Sequence, residues 1–194
     1  MSEVVPTVRA RVRSWFTDAK ANPRFRWGLL GAGVLMLIDQ ASKFFMVEIV
    51  RLPERWQPCV NDPSEMCRQI SVSPVFNFTY VENTGASFGM LAGGMFSRVL
   101  LSGVAIGISV WLIIWLGRLE RRWAAFGAAF IIGGALGNLI DRVRLGYVVD
   151  FFDFSGLYFP FVFNVADICI DIGIGFLLLD AFLTRDKAPK SPKI

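Results

Sequence analysis

Residues 123–141, WAAFGAAFIIGGALGNLID, contain no charged side chain before Asp141 at the last position. A helix that crosses a hydrocarbon core needs about 20 residues, most of them apolar. Three further stretches have the same character: 27–47, 97–117 and 163–183. The chain has 194 residues, of which 54% are hydrophobic and 19% are charged, whereas about 25% of a soluble domain is charged. We therefore predict a membrane all-α fold, a four-helix transmembrane bundle.

The distribution of lysine and arginine predicts how this bundle is oriented. These residues are concentrated in the tail 1–26, the turn 118–122 and the tail 184–194, and they are sparse in the loops 48–96 and 142–162. Cytoplasmic segments are enriched in lysine and arginine, so both termini are predicted to be cytoplasmic and both loops to face outward. The net charge of +4 then reflects topology, and no nucleic-acid partner is expected. The tail 1–26 is either an amphipathic helix on an anionic leaflet or a solvated, disordered segment.

The outer loop 48–96 is predicted to contain a small sheet at the outer membrane surface. Residues 71–81 are rich in β-branched and aromatic side chains with partial alternation, which is typical of strands. Cys59 and Cys67 lie eight residues apart in the same loop. A local disulfide between them is sterically easy, but nothing in the sequence decides whether it forms. Cys169, within an apolar helix, is predicted to be a packing residue.

The residue types present exclude several kinds of chemistry. The chain has no histidine, which rules out Ser-His-Asp and Cys-His catalysis, His-ligated zinc and an imidazole proton shuttle. The three cysteines include no C-x-x-C pair, so a thiolate metal cluster or a thioredoxin-like site is not expected. Any reaction must therefore depend mainly on carboxylates.

Polar side chains inside the predicted spans form a pattern. Ionisable groups in a membrane span are costly, so each needs a reason. Helical spacing places them on shared faces near the outer ends of their spans: Asp39 with Lys43, Asn138 and Asp141 with Gly134, and Asn164 with Asp167. The helical rise of about 1.5 Å per residue brings these groups to one depth, which Asp150 and Asn83 can reach from the outer loops. We interpret Asp39 and Lys43 as a mutually neutralised structural pair and predict a functional site at this level.

Two carboxylates in such a site suit acid–base chemistry without a metal or cofactor. Neighbouring carboxylates in a low dielectric do not both ionise readily, so one holds the proton while the other stays charged. One aspartate can then activate water while the other protonates a carbonyl oxygen or a leaving amine. Asp150 could instead anchor a surface loop, and Asp167 could be a first-turn acid favoured by the helix dipole.

At these residues the chain closely resembles the lipoprotein signal peptidases, the aspartyl signal peptidase II family of bacteria. The resemblance covers roughly residues 27–183 and rests on five segments in the same order and spacing. They are DQASK at 39–43, NTGASF at 83–88, GNLIDR at 137–142, VDF at 149–151 and FNVAD at 163–167.

The resemblance implies that Asp150 and Asp167 are the catalytic dyad of an aspartic endopeptidase. Its substrate would be a prolipoprotein with a diacylglyceryl-modified cysteine, cleaved just before that cysteine to release the signal peptide. Nine further residues match positions that support the dyad, shape the pocket or contact substrate: Asp39, Lys43, Asn83, Gly134, Asn138, Asp141, Arg142, Asn164 and Ala166.

The resemblance also implies an architecture and a location. Residues 27–183 would form the peptidase domain between the cytoplasmic tails 1–26 and 184–194, with a β-cradle and a helical flap inside the loop 48–96. The protein would be a monomer in the bacterial inner membrane, in contact with membrane lipids, with its active site on the extracytoplasmic side and no metal or cofactor.

Two other functions fit part of the pattern. A transporter or proton-coupled channel also carries intramembrane acids, but it would spread them through the bilayer depth and show a repeated architecture. A magnesium-dependent lipid phosphotransferase could draw ligands from the acids Asp141, Asp150, Asp153 and Asp167. Asp171, four residues after Asp167, is an acid outside the family pattern, and the sequence does not decide its charge or its effect on the dyad.

Overall fold

Four long helices form the framework of the protein. The computed structural model describes residues 7–60, 62–85, 94–157 and 159–185. A short helix, α1 (Val8–Ala21), precedes the long ones, which are α2 (Pro23–Phe44), α3 (Gly94–Leu116), α4 (Arg122–Arg144) and α5 (Val165–Arg185). Helix α2 continues into a π-helical turn, Phe45–Ile49. The predicted spans therefore match these helices, with ends displaced by a few residues.

Helix α4 is the centre of the bundle and packs against each of the other three long helices. Its composition explains this position, because its alanines and glycines let neighbouring backbones approach closely. A Cβ atom added at Gly133 would lie 2.8 Å from the Ala32 carbonyl oxygen of α2, and one added at Gly127 would lie 2.8 Å from the Gly173 carbonyl oxygen of α5.

Three helical segments of the described chain are long and apolar enough to cross a membrane: Pro23–Glu54, Gly94–Leu116 and Arg122–Arg144. Many apolar side chains of α3 are exposed, among them Val99, Val110 and Trp111, as expected where lipid replaces water. Helix α5 has a similar length but contains Asp167, Asp171 and Asp180. Its crossing, and thus the count of four spans, stays a prediction.

A five-stranded antiparallel sheet lies at one end of the bundle, here termed the sheet end. Its strands run in chain order across the sheet. They are β1 (Trp56–Pro58), β2 (Met66–Ser71), β3 (Asn77–Asn83), β4 (Val148–Asp153) and β5 (Val162–Phe163). Met46, Leu52, Tyr80 and Phe151 form a buried apolar cluster beneath it.

The sheet differs from the prediction in two ways. Residues 72–76 are a turn and not part of a strand; Pro74 has no N–H to donate, while the Ser73 N–H is bonded across the turn to the Phe76 carbonyl. Strand β4 and the first residue of β5 come from the second predicted outer loop, 142–162, for which no strands were predicted. The sheet therefore joins both loops, and β4 pairs directly with β3.

The structure answers the question of the disulfide and shows a helix in the described part of the tail, whose location on a leaflet stays a prediction. Cys59 and Cys67 form a disulfide beside the paired strands β1 and β2. The tail is helical over Val8–Ala21 and is held against the C-terminal end of α3, where the Trp15 indole donates to the Ile114 carbonyl over 3.3 Å. The described part of the loop 48–96 contains a short 3₁₀ turn, Leu52–Glu54, and the helical flap implied by the resemblance stays a prediction. Residues 86–93 of that loop lie outside the described chain, as do residues 186–194 of the predicted C-terminal tail.

Candidate active site

A cavity of about 620 Å³ opens at the sheet end, between the sheet and the first turns of α5. Asp150 and Asp167 both line it. The end of β3, from Val81 to Gly85, forms one side, and residues 159–163 with Ile168 and Ile170 form an apolar side. The two acids that the sequence singled out therefore face one space.

The Asp150 carboxylate is fixed by two amide donors. Asp150 lies in β4 opposite Val81 of β3 and is 1% exposed. Its Oδ1 accepts from Asn164 Nδ2 over 2.6 Å, and its Oδ2 accepts from Asn83 Nδ2 over 2.9 Å. This pairing of strands from two different loops is what brings Asn83 to Asp150.

Asp167 is held by the N-terminal cap of α5. The N–H of Asn164 donates to Asp167 Oδ2 over 3.2 Å, and the N–H of Asp167 donates to Asn164 Oδ1 over 3.1 Å. This reciprocal pair is a capping box, which the sequence N-V-A-D encodes by placing an acid three residues after an N-cap asparagine. Asn138 Nδ2 of α4 donates to the other oxygen, Asp167 Oδ1, over 2.9 Å.

Asn164 therefore holds both acids, one through its side chain and one through its backbone. The same Nδ2 group also contacts Asn138 Oδ1 at 3.2 Å. Burial, and then the negative charge of Asp167, raise the pKa of Asp150 from its ordinary value to about 7. Asp150 is thus partly protonated near neutral pH.

A buried lysine of α2 contacts three polar side chains near the two acids. Lys43 Nζ lies 2.9 Å from Asp39 Oδ2 and 2.8 Å from Asp141 Oδ2, and it donates to Asn138 Oδ1 over 3.0 Å. Asp39 Oδ1 in turn accepts the Ala166 N–H over 2.9 Å. Helices α2, α4 and α5 are therefore joined by one network that also orients Asn138.

Arg142 fixes the turn above the cavity. Its guanidinium donates to the Gly85 carbonyl over 3.2 Å, while the Gly85 N–H donates to Asn83 Oδ1 over 3.1 Å. The second bond holds the Asn83 amide with its Nδ2 toward Asp150. Arg142 thus acts on the contact between Asn83 and Asp150 through the backbone of the turn 83–85.

Known proteins match this chain over most of its length. A family description, signal peptidase (SPase) II, matches residues 32–183. The chain belongs to the signal peptidase II family. It is 41% identical to the lipoprotein signal peptidase of Caulobacter vibrioides over 80% of this chain and 86% of that one. It is 38% identical to that of Brevibacillus brevis over 83% of this chain and 98% of that one.

The fold comparison agrees with this membership. A solved bacterial membrane enzyme is similar, with a TM-score of 0.66 and 26% sequence identity, over 86% of this chain and 93% of that one. A second solved bacterial membrane enzyme gives a TM-score of 0.61 over 79% of this chain. The chain is therefore a membrane peptidase of the signal peptidase II family.

Of the residues that the sequence analysis assigned to the site, all but Arg142 and Gly134 lie in the network or on the cavity, and Arg142 binds the turn 83–85. Gly134 packs where α4 meets α5, since an added Cβ would overlap the Ala166 carbonyl oxygen. Asp171 also lines the cavity and is exposed. Asp153 lies apart from the dyad and is bound locally, because it accepts from Thr79 Oγ1 over 2.5 Å and from the Ser155 N–H over 2.9 Å.

The sequence analysis missed Gln40. Its Nε2 group donates to Asp141 Oδ1 over 2.9 Å and to the Gly137 carbonyl over 3.1 Å, and it contacts Asp39 Oδ2 at 3.2 Å. An uncharged amide inside an apolar span also needs hydrogen-bond partners. If the sequence analysis had applied this rule to glutamine as well as to charged residues, it would have identified Gln40.

Gly137→Ala should impair both folding and activity, because an added Cβ would lie 2.5 Å from Asp39 Oδ2. Displacing Asp39 weakens its bonds to Lys43 and to the Ala166 N–H, and we expect a loss of about 1–3 kcal/mol of stability, as for other overpacked sites. Thermal unfolding in detergent measures it. Gly107→Ala is the matched control, since a Cβ there meets no atom within 4 Å; equal behaviour of the two variants would contradict the prediction.

Proposed function

We propose that this peptidase removes the signal peptide from diacylglyceryl-modified prolipoproteins, cleaving just before the lipidated cysteine, with Asp150 and Asp167 as an aspartic dyad. The observation that carries the proposal is that the two carboxylates line one cavity and are both held by Asn164. Membership of the signal peptidase II family supports the substrate class.

The different surroundings of the two acids suggest their roles. Asp150 is buried and holds a proton, so it donates to the scissile carbonyl oxygen. Asp167, which is less buried, acts as the carboxylate that takes a proton from the attacking water. The tetrahedral diol then collapses as Asp167 returns its proton to the leaving amine and Asp150 recovers one from the diol. No metal or cofactor takes part in this scheme.

The cavity walls fit a lipidated peptide. Phe159, Phe163 and Ile168 offer apolar contacts, against which the acyl chains of the substrate can pack beside membrane lipid. Asn83 and Asp150 form the polar edge, where the peptide bond would lie. Asp171 would face the same bound substrate.

We also propose the topology predicted from the charges, for a monomer in the bacterial inner membrane. The sheet end would face outward and both termini the cytoplasm, with residues 27–183 as the peptidase domain and 1–26 and 184–194 as its tails. Helix α5 would be the fourth span, because Asp167 and Asp171 lie on the cavity at its outer end. Asp180, near its inner end, lies 2.7 Å from the Arg121 guanidinium.

The test of the reaction compares two precursors that differ only in lipidation. Purified protein in detergent is incubated with a prolipoprotein carrying the diacylglyceryl group and with the unmodified precursor. We expect cleavage of the lipidated form alone, just before its cysteine, as measured by mass spectrometry. Cleavage of both precursors would contradict the substrate class, and cleavage of neither by a folded preparation would contradict the reaction.

The pH dependence tests the role of Asp150. A protonated Asp150 is present below its pKa of about 7 and is lost as the pH rises through that value. We therefore expect kcat/KM to fall about tenfold per pH unit above pH 7. Asn83→Ala removes a hydrogen bond that favours the charged form, so the fall should move to higher pH. Activity that increases through pH 7 would show that the ionised form of Asp150 is required.

A further inference from the structure

A second cavity lies at the other end of the bundle from the dyad, between α2 and α4. Its volume is about 840 Å³, and we term it the inner groove. Its walls are almost entirely apolar. They include Gly28, Gly31 and Val34 of α2 and Ala125, Phe126 and Ala129 of α4.

The inner groove has the length of one acyl chain in a single leaflet. On α2 it extends from Pro23 to Leu35, which spans about 18 Å at the rise of an α-helix. Half of a hydrocarbon core of about 30 Å is about 15 Å. The groove begins at the first turns of α2 and α4 and ends near the middle of the bundle, so it lies within one half of the membrane.

The opening of the inner groove carries two arginines. Arg24 and Arg122 line the opening, and both are exposed. Neither guanidinium forms an ion pair with an acid in the part of the chain that the structure describes. An apolar groove with a cationic mouth is complementary to an anionic lipid.

We propose that the inner groove binds one anionic phospholipid of the cytoplasmic leaflet, with an acyl chain in the groove and the phosphate between Arg24 and Arg122. The proposal rests on the topology proposed above, which places this end at the cytoplasmic face. Helix α1 packs on Gly117 and on Phe25 through Trp15, and none of its described residues lines the groove.

The chain offers matched controls for both parts of the site. Arg26 and Arg118 are exposed cations near the same end that do not line the groove. Gly31 lines the groove and Gly33 does not, yet a Cβ at either meets no atom within 4 Å. Gly31→Leu should therefore fill the groove without disturbing the fold, and Gly33→Leu should add the same bulk outside it.

Native mass spectrometry of the detergent-purified protein counts bound lipids directly. The protein is titrated with phosphatidylglycerol or with phosphatidylcholine of identical acyl chains. For the unsubstituted protein we expect one retained lipid and about a tenfold preference for phosphatidylglycerol. The preference should disappear in Arg24→Gln/Arg122→Gln and persist in Arg26→Gln/Arg118→Gln. The retained lipid itself should be lost in Gly31→Leu and kept in Gly33→Leu.

Three results would overturn the proposal. Equal retention of the two lipids by the unsubstituted protein would show that the arginines do not select an anionic headgroup. An equal loss of preference in both arginine double variants would show that the preference comes from general surface charge and not from Arg24 and Arg122. A lipid-free dimer that Gly31→Leu dissociates would show that a second copy occupies the groove. Lipid counting requires no turnover, so failure of the proposed cleavage reaction is recorded separately.

Discussion

Asp150→Asn and Asp167→Asn should each reduce kcat/KM for lipidated prolipoprotein by at least about 1,000-fold, within the range for loss of a general acid or base. An amide can neither donate an acidic proton nor take one from water. Both variants should remain folded, because an amide has nearly the shape of a carboxyl group. At position 150 the new amide has one acceptor oxygen for the two donors Asn83 and Asn164. One hydrogen bond is therefore lost, at a cost of about 1 kcal/mol.

The matched control for this experiment is Asp153→Asn. Asp153 is a buried acid in the same strand, three residues from Asp150, but its carboxylate is bound to Thr79 and Ser155 instead of lining the cavity. Its turnover should stay close to that of the unsubstituted protein. Initial rates and thermal unfolding are measured on all three variants. Retention of a tenth or more of the activity by Asp150→Asn or Asp167→Asn would remove that residue from the proposed dyad.

The helices and the polar residues inside them could be predicted because a membrane constrains both. A span must be long and apolar, and a polar side chain within it must have a partner. Spacings of three and four residues placed Asn138 and Asp141 on one face of α4, where the structure finds them in one network with Lys43. The interpretation of Asp39 and Lys43 as a pair followed from the same rule, and the structure contains that pair.

The sheet could not be predicted in full because its pairing is not local. In β4, Val148–Asp153, all but one residue is buried, so the alternation that marks a half-exposed strand is missing. Its partner β3 lies more than 60 residues earlier in the chain. Without that pairing, neither the contact of Asn83 with Asp150 nor the place of the turn 83–85 above the cavity follows from the sequence.

The geometry of the proposed dyad depends on Lys43, a charged residue that does not line the cavity. Asn138 presents its Nδ2 to Asp167 because its Oδ1 is engaged by Lys43 and by Asn164. An amide that flipped would turn its oxygen toward the Asp167 carboxylate, where it would be repelled. The lysine therefore specifies the orientation of the asparagine, and through it the position of the carboxylate that is proposed to activate water.

Lys43→Met should consequently have the largest effect on stability among the substitutions considered. Lys43 is 4% exposed and lies within 3 Å of Asp39 and Asp141. Removing one partner of a buried ion pair leaves charge uncompensated and costs about 3–5 kcal/mol. For a chain of this size that corresponds to a decrease in Tm of about 10 °C. The folded fraction of the Lys43→Met variant should also cleave substrate slowly, because the Asn138 side-chain amide is then free to flip.

A surface ion pair of the same chain supplies the control for this stability measurement. Arg51 and Glu54 lie 3.7 Å apart with both side chains 68% exposed, and such pairs contribute less than about 1 kcal/mol. Arg51→Met should therefore leave Tm nearly unchanged. The double variant Lys43→Met/Asp141→Asn removes one of the two carboxylates that lose their ion-pair partner, so it should recover part of the stability. It should not recover the activity, because Asn138 still lacks the lysine that orients it. Recovery of both together would show that Lys43 only balances charge and does not orient Asn138.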